Sequence, residues 1–230
     1  MERCLITGAS GGIGRAVALR LALKQRLLLL HGRDRARLGE TAAQVASQGG
    51  QSRQLVGDLA DTAAVERVIA DIGHEPLQML VHSAGIAIVK PMDEHSVEEW
   101  QQVLAVNVTA PFLLTQKLLP LMPPGASVVN ILSVAAKVPF AGWSSYCMSK
   151  FALDGFMRSV REEVRSRGIR VINIYPQATA TAIWNGVPGD WPRERMMAPE
   201  QVAEAVAFAL SRPADLLVED ISLGNLGGNL

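Results

Sequence analysis

The stretch "RCLITGASGGIG", residues 3–14, decides how the chain must begin. Its apolar start reads as a buried strand, the glycines after Thr7 stop that strand, and Ile13, Val17 and Leu21 then recur at helical spacing. Gly8, Gly12 and Gly14 remove side chains where the backbone must turn tightly from strand to helix. A turn of this kind leaves the first amides of the helix unbonded and presents the positive end of its dipole, which suits the pyrophosphate of a dinucleotide. The spacing G-x-x-x-G-x-G differs from the more familiar G-x-G-x-x-G, so its weight comes from its position between a strand and a helix.

Working outward, the same alternation continues to the end of the chain. "LLLLH" precedes an amphipathic helix over Arg35 to Ser47, "RQLVG" a helix from about Asp61 to Ile72, and "LQMLVHSAG" a long helical stretch from Ser96 to Leu121 that Pro111 should bend. "SVVNILS", a long helix through Tyr146, "IRVINIY", a helix over 199–211 and a last strand near Leu216 to Ile221 complete the series. Strands that are apolar on both faces and alternate with helices imply an α/β, doubly wound domain, with about seven parallel strands flanked by helices on both faces. A single domain is expected over 1–230. The irregular stretch 177–198, with Trp184 and Trp191, reads as a substrate-binding loop.

Composition narrows the function. A chain of 230 residues that is 49% hydrophobic and 19% charged is in the ordered globular class. The 22 basic residues balance 22 acidic ones, so neither nucleic acid nor an anionic membrane is an expected partner. The apolar run Leu27 to Leu30 is too short to span a bilayer. Cys4 and Cys147 form no disulfide framework, and no signal-peptide pattern opens the sequence, so a reducing cytoplasm is the expected location. His31, His74, His82 and His95 are scattered, and no metal site is expected.

Two further stretches carry chemistry. The second strand ends in "HGRDR", where the adenosine ribose of a dinucleotide would lie. Gly32 ends the strand and Arg33 offers a bidentate cation for a 2′-phosphate, while Asp34 reads as the cap of the next helix; NADP(H) is therefore favoured over NAD(H). In "SYCMSK", Tyr146 and Lys150 stand four residues apart, on one face of a helix. The lysine would stabilise the phenolate and lower the tyrosine's pKa from its ordinary value of about 10.

With "TGASGGIG" near its start and "YCMSK" past its middle, the chain resembles the classical short-chain dehydrogenases/reductases over essentially all its length. The resemblance implies a Rossmann fold and a catalytic set of Asn107, Ser133, Tyr146 and Lys150. Tyr146 would be the general acid/base, Ser133 would hold the substrate oxygen, Lys150 would also grip the nicotinamide ribose, and Asn107 would position a water. For the cofactor it implies Gly8, Ser10, Gly12, Ile13 and Gly14 in the turn, Gly32 and Arg33 after the second strand, Asp58 and Leu59 at the adenine, and Ala84 and Gly85 behind it. Pro176, Thr179 and Thr181 would stand at the nicotinamide, beside Tyr146 and Lys150. Two departures stand out: "HSAG" at 82–85 where the family usually has Asn-Asn-Ala-Gly, and Gln177 in place of the glycine after Pro176.

The expected activity is hydride transfer between NADP(H) and a small-molecule carbonyl or alcohol, in a homodimer or homotetramer. Val138, Phe140, Trp143, Trp184 and Trp191 could wall the substrate cleft. Competing readings are an NADP-binding redox sensor or scaffold without turnover, an NAD-dependent alcohol dehydrogenase of the same family, and a sugar-nucleotide epimerase or dehydratase. The last has little room for its substrate domain in 230 residues.

Overall fold

In β1 (Glu2–Ile6), Leu5 enters one apolar layer while Cys4 and Ile6 enter another, and all three are fully buried. A strand buried on both sides needs helices above and below it. The computed structural model, which describes residues 1–213 and 215–226, supplies them. β1 is joined by β2 (Arg26–Gly32), β3 (Gln51–Val56), β4 (Met79–His82), β5 (Ser127–Ile131), β6 (Arg170–Pro176) and β7 (Asp220–Leu223). The seven strands are parallel and ordered β3-β2-β1-β4-β5-β6-β7.

The helices are α1 (Gly12–Arg20), α2 (Arg35–Ser47), α3 (Thr62–Ile72), α4 (Val97–Leu104), α5 (Ala110–Leu118), α6 (Ser144–Val164) and α7 (Pro199–Leu210). α1, α2 and α7 bury Val17, Leu38, Val45, Val202 and Val206 on one face of the sheet. α3, α5 and α6 bury Val65, Val68, Leu114, Leu118, Leu153 and Met157 on the other. This is the doubly wound single domain that the alternating pattern implies.

Two expectations need correction. The stretch from Ser96 to Leu121 does not simply bend at Pro111. Pro111 has no amide to return to the preceding turn, and the helix widens just before it into a π-turn over Ala105–Thr109. The last strand also lies later than Leu216 to Ile221. The Leu216 amide is spent on a turn to Pro213 O, and pairing with β6 begins only at Asp220 opposite Asn173. Leu217 and Val218 pack against the core without joining the ladder. Residues Val97–Leu121 have the length and mean hydropathy (1.2) of a membrane span by composition, with 44% of that window buried within the fold.

Candidate active site

The strand order reverses between β1 and β4, and a cavity of about 530 Å³ opens above the carboxyl ends of these strands. Its first half is the turn after β1. Gly8 (φ +70°) and Gly12 (φ +51°) take left-handed conformations. A Cβ at Gly14 would come within 2.3 Å of the Gly8 carbonyl oxygen, and one at Gly8 within 2.9 Å of Ala84 Cα. Among the described residues no side chain caps α1, and no acid lies in its first turn, so its amides are available to an anion. Ser10, Ile13 and Thr181 line the same turn, with the Thr181 methyl 3.0 Å from the position of a Gly12 Cβ.

At the end of β2, Gly32 and Arg33 line the cavity. The Arg33 guanidinium lies 3.8 Å from the Asp58 carboxylate, both groups being largely in solvent. Asp34 is spent as the cap of α2, its Oδ1 accepting from the amides of Ala36 and Arg37 at 2.9 and 3.1 Å. Arg37 also lines the cavity and lies over Gly11, where a Cβ would meet its Nη2 at 2.6 Å. The sequence reading missed Arg37, whose only signal was its place in the basic run "RDRAR" after Gly32. Asp58 holds the Ala60 amide at 2.9 Å and, with Leu59, Ala84 and Gly85, completes this side.

"HSAG" is braced from both sides of its strand by Thr7 and Thr115. Thr7 Oγ1 accepts from the amides of Ser83 and Ala84 at 3.0 and 3.1 Å. His82 Nε2 lies 2.9 Å from Thr115 Oγ1 on α5, and burial pushes its pKa down to about 3, so the ring is neutral.

The second half is carried by α6. Tyr146 and Lys150 are both buried and both face the cavity, with Lys150 Nζ 5.6 Å from the centre of the phenol ring. Lys150 Nζ donates to Ile131 O at 3.0 Å. The expected lowering of the phenol pKa by this lysine is not what the geometry gives. Burial pushes Tyr146 up to about 12 against the opposing pull of the Ser133 hydroxyl, and pushes Lys150 down to about 8. Ser133 lies at the end of β5, and its Oγ accepts from the Ala135 amide at 3.1 Å.

Asn107 stands behind this wall, in the π-turn. Its Oδ1 accepts from Ile86 N, and its Nδ2 donates to Ile86 O and to Ser149 Oγ, each at 2.9 Å. Both of its side-chain N–H groups are thus spent on bracing β4's loop against α6. Ser149, which passes the link on to Tyr146 O at 2.7 Å, was not singled out in the sequence. Among the described residues, no three His, Cys, Asp or Glu side chains gather in a way that could hold a metal ion.

Pro176, Gln177, Thr179 and Thr181 line the remaining edge. The stretch 177–198 is pinned at its base where Thr179 pairs with Met197, through Ala180 N to Met197 O at 2.8 Å and Met197 N to Ala178 O at 2.9 Å. Between these points it carries Trp184 and Trp191 to the cavity wall, where both meet Trp143; Phe140 lines the same cavity. Val138 departs from expectation: it is 47% exposed, just beyond the short 3₁₀ turn at Val134–Ala136, and does not reach the cavity.

A glycine cradle at an uncapped helix and a serine, a tyrosine and a lysine across one cleft are now in view, and a sequence model described as short chain dehydrogenase matches residues 2–190. The chain belongs to the short-chain dehydrogenases/reductases. Among relatives, a protein named sepiapterin reductase from Chlorobaculum tepidum is 33% identical, over 98% of this chain and 97% of its own. Among solved structures, an alcohol dehydrogenase from the archaeon Thermococcus sibiricus, complexed with 5-hydroxy-NADP, matches with TM-score 0.88 and 26% identity over 98% of this chain and 97% of its own. An angucycline C-6 ketoreductase with bound NADP matches with TM-score 0.85 and 27% identity, over 96% and 93%. As a short-chain dehydrogenase/reductase, the protein is an oxidoreductase that acts on small molecules with a nucleotide cofactor.

Proposed function

We propose that the protein is an NADP(H)-dependent carbonyl reductase in which Tyr146 protonates the substrate oxygen. The observation that carries this reading is the buried phenol. It lines the cavity together with the Ser133 hydroxyl and Lys150, and as a phenol it carries its proton at neutral pH. The relatives that bind NADP or a derivative, and the ketoreductase among them, support the same direction.

The cofactor fits the chain's own groups. The uncapped α1 would receive the pyrophosphate, and Arg33 and Arg37 would flank the 2′-phosphate. Thr179, Thr181 and Pro176 would bound the nicotinamide. When bound, NADPH supplies the hydride that turns the carbonyl carbon into a carbinol carbon. Tyr146 Oη gives its proton to the carbonyl oxygen, completing the alcohol. Ser133 Oγ already accepts from Ala135 N, which leaves its own hydrogen to hold that oxygen. Lys150 uses one ammonium hydrogen on Ile131 O and has two left, one for the phenolate left by proton transfer and one for the ribose. Asn107 acts as a positioning residue through Ile86 and Ser149. The stretch 177–198 forms the substrate wall. Assembly as a homodimer or homotetramer would cover Phe112 and Phe151, which stand 40% and 44% exposed on α5 and α6.

Tyr146→Phe tests this assignment. We expect kcat to fall by about 10²- to 10⁴-fold while the NADPH fluorescence titration is retained; turnover near the parent rate refutes the assignment.

A further inference from the structure

We propose that the carbonyl substrate is a fused-ring planar aromatic compound that also carries an acidic group. The inference rests on the carbonyl reductase reading and specifies its substrate. Beyond the phenol the cavity wall is a cluster of indoles. Trp143 lies 5.5 Å from Tyr146 and 5.5 Å from Trp184, and Trp191 lies 5.0 Å from Trp184 and 6.5 Å from Trp143, ring centre to ring centre. Each indole is only partly buried and each lines the cavity. Trp184 Nε1 donates to Thr179 O at 2.9 Å and Trp191 Nε1 to Pro188 O at 2.8 Å, so the polar edges of these two rings are already satisfied. What they offer a substrate is π-surface, which favours another aromatic ring over a saturated one of equal size.

A different rim supplies the polar recognition. Gln177 Oε1 accepts from Asn225 N at 2.9 Å, and Asn225 Nδ2 donates to Arg195 O, so the segment after β7 is tied to the 177–198 stretch at the cavity edge. The Arg195 side chain lines this edge, and no carboxylate among the described residues pairs with it. A guanidinium donates only and matches a carboxylate with two parallel bonds. A molecule whose carbonyl meets Tyr146 and Ser133 would lay its rings along the indoles and turn an acidic edge to Arg195.

The test uses 6-acetyl-2-naphthoate, 2-acetylnaphthalene and the ring-saturated counterparts of both, each assayed with NADPH. We expect kcat/KM to favour the aromatic over the saturated partner by about tenfold, the scale of one or two aromatic contacts. Trp184→Ala and Trp191→Ala should shrink that ratio and Trp184→Phe should restore most of it. Arg195→Gln should remove the advantage of the carboxylate. Equal kcat/KM for aromatic and saturated partners, or Trp substitutions that lower both alike, overturn the aromatic wall; a carboxylate advantage that survives Arg195→Gln overturns the acidic edge. Binding is read separately in Tyr146→Phe with NADPH, by quenching of tryptophan fluorescence. Naphthyl compounds that bind there but are never reduced by the parent protein would sink the reductase reading and leave the wall standing. Absence of binding, in a protein that still reduces simple aldehydes, would do the reverse.

Discussion

His82 gives the sharpest test of how the cofactor side of the site is held. Buried and bonded to Thr115, it has its pKa pushed from 6.5 down to about 3. The unfolded chain therefore binds a proton between these values that the folded chain refuses. Stability from this group is full above pH 6.5 and is lost as pH falls toward 3. At about 1.4 kcal/mol per pH unit, the loss at pH 5 is about 2 kcal/mol, since the unfolded histidine has by then been protonated over about 1.5 units. His31, whose pKa is pushed down to about 4 by burial, adds a loss of about the same size at that pH. His82→Asn puts an uncharged, hydrogen-bonding group at the position and should remove only the first share. Urea unfolding followed by circular dichroism at pH 8, 6 and 5 would measure it. The parent should lose about 4 kcal/mol from the two histidines between pH 8 and 5, and the variant about 2 kcal/mol. Comparing slopes cancels any fixed cost of the substitution at pH 8. Equal slopes would refute the reasoning, because they would mean that His82 is protonated as easily in the fold as outside it.

Three other variants address the remaining parts. Gly14→Ala drives a Cβ to 2.3 Å from the Gly8 carbonyl oxygen, so the turn must open; titration should give an NADPH Kd raised by about 100-fold or more, equivalent to about 3 kcal/mol. Arg33→Ala combined with Arg37→Ala should raise Kd for NADPH by about 10- to 100-fold more than Kd for NADH, the scale of a charge-assisted phosphate contact; an unchanged ratio would remove the 2′-phosphate from this corner. Asp154→Ala strips the acceptor from Arg158 Nε at 2.9 Å, Tyr175 Oη at 2.7 Å and Asn173 Nδ2 at 3.2 Å, and should lower unfolding stability by about 2–3 kcal/mol in denaturant titrations.

What could be read from the chain was local. The bounds of α2 were legible because Asp34 caps it from one residue away, and the same holds for α3 behind Asp61. The glycine turn was legible because the absence of side chains is itself the signal. The last strand was misplaced because Leu216 to Val218 are apolar for packing, while strand pairing depends on β6, more than forty residues earlier. Thr7 and Ser149 went unassigned for a related reason. Each works by reaching across space, Thr7 to residues 83 and 84 and Ser149 to Asn107, and no short-range pattern marks such partners. The Tyr146 pKa was misjudged because the neighbour, Lys150, is visible in sequence while burial of the phenol is not.

The placement of Lys150 shows how burial and reach combine. Holding an ammonium under the sheet edge is unfavourable, and its lowered pKa of about 8 reflects that. α6 can keep it there only if the helix is tightly fixed, and its next turns are. Arg158 and Asp154 bond to Tyr175 on β6, Arg158 bonds to Asp220 on β7 at 2.7 Å, and the buried Arg161 donates to Val171 O and Glu219 O at 3.0 and 2.7 Å. Tyr175 directly precedes Pro176 at the cavity edge, so the same network that sets the height of Tyr146 and Lys150 also sets the nicotinamide end of the cleft. Ser133, two residues past β5, is tied to that frame through the β5–β6 ladder and the Leu132 amide, which donates to Ile174 O at 2.9 Å. A donor phenol, a holding hydroxyl and an ammonium fixed by one rigid helix–sheet joint need little reorganisation as charge develops on a carbonyl oxygen, which is the condition under which such groups lower a barrier most.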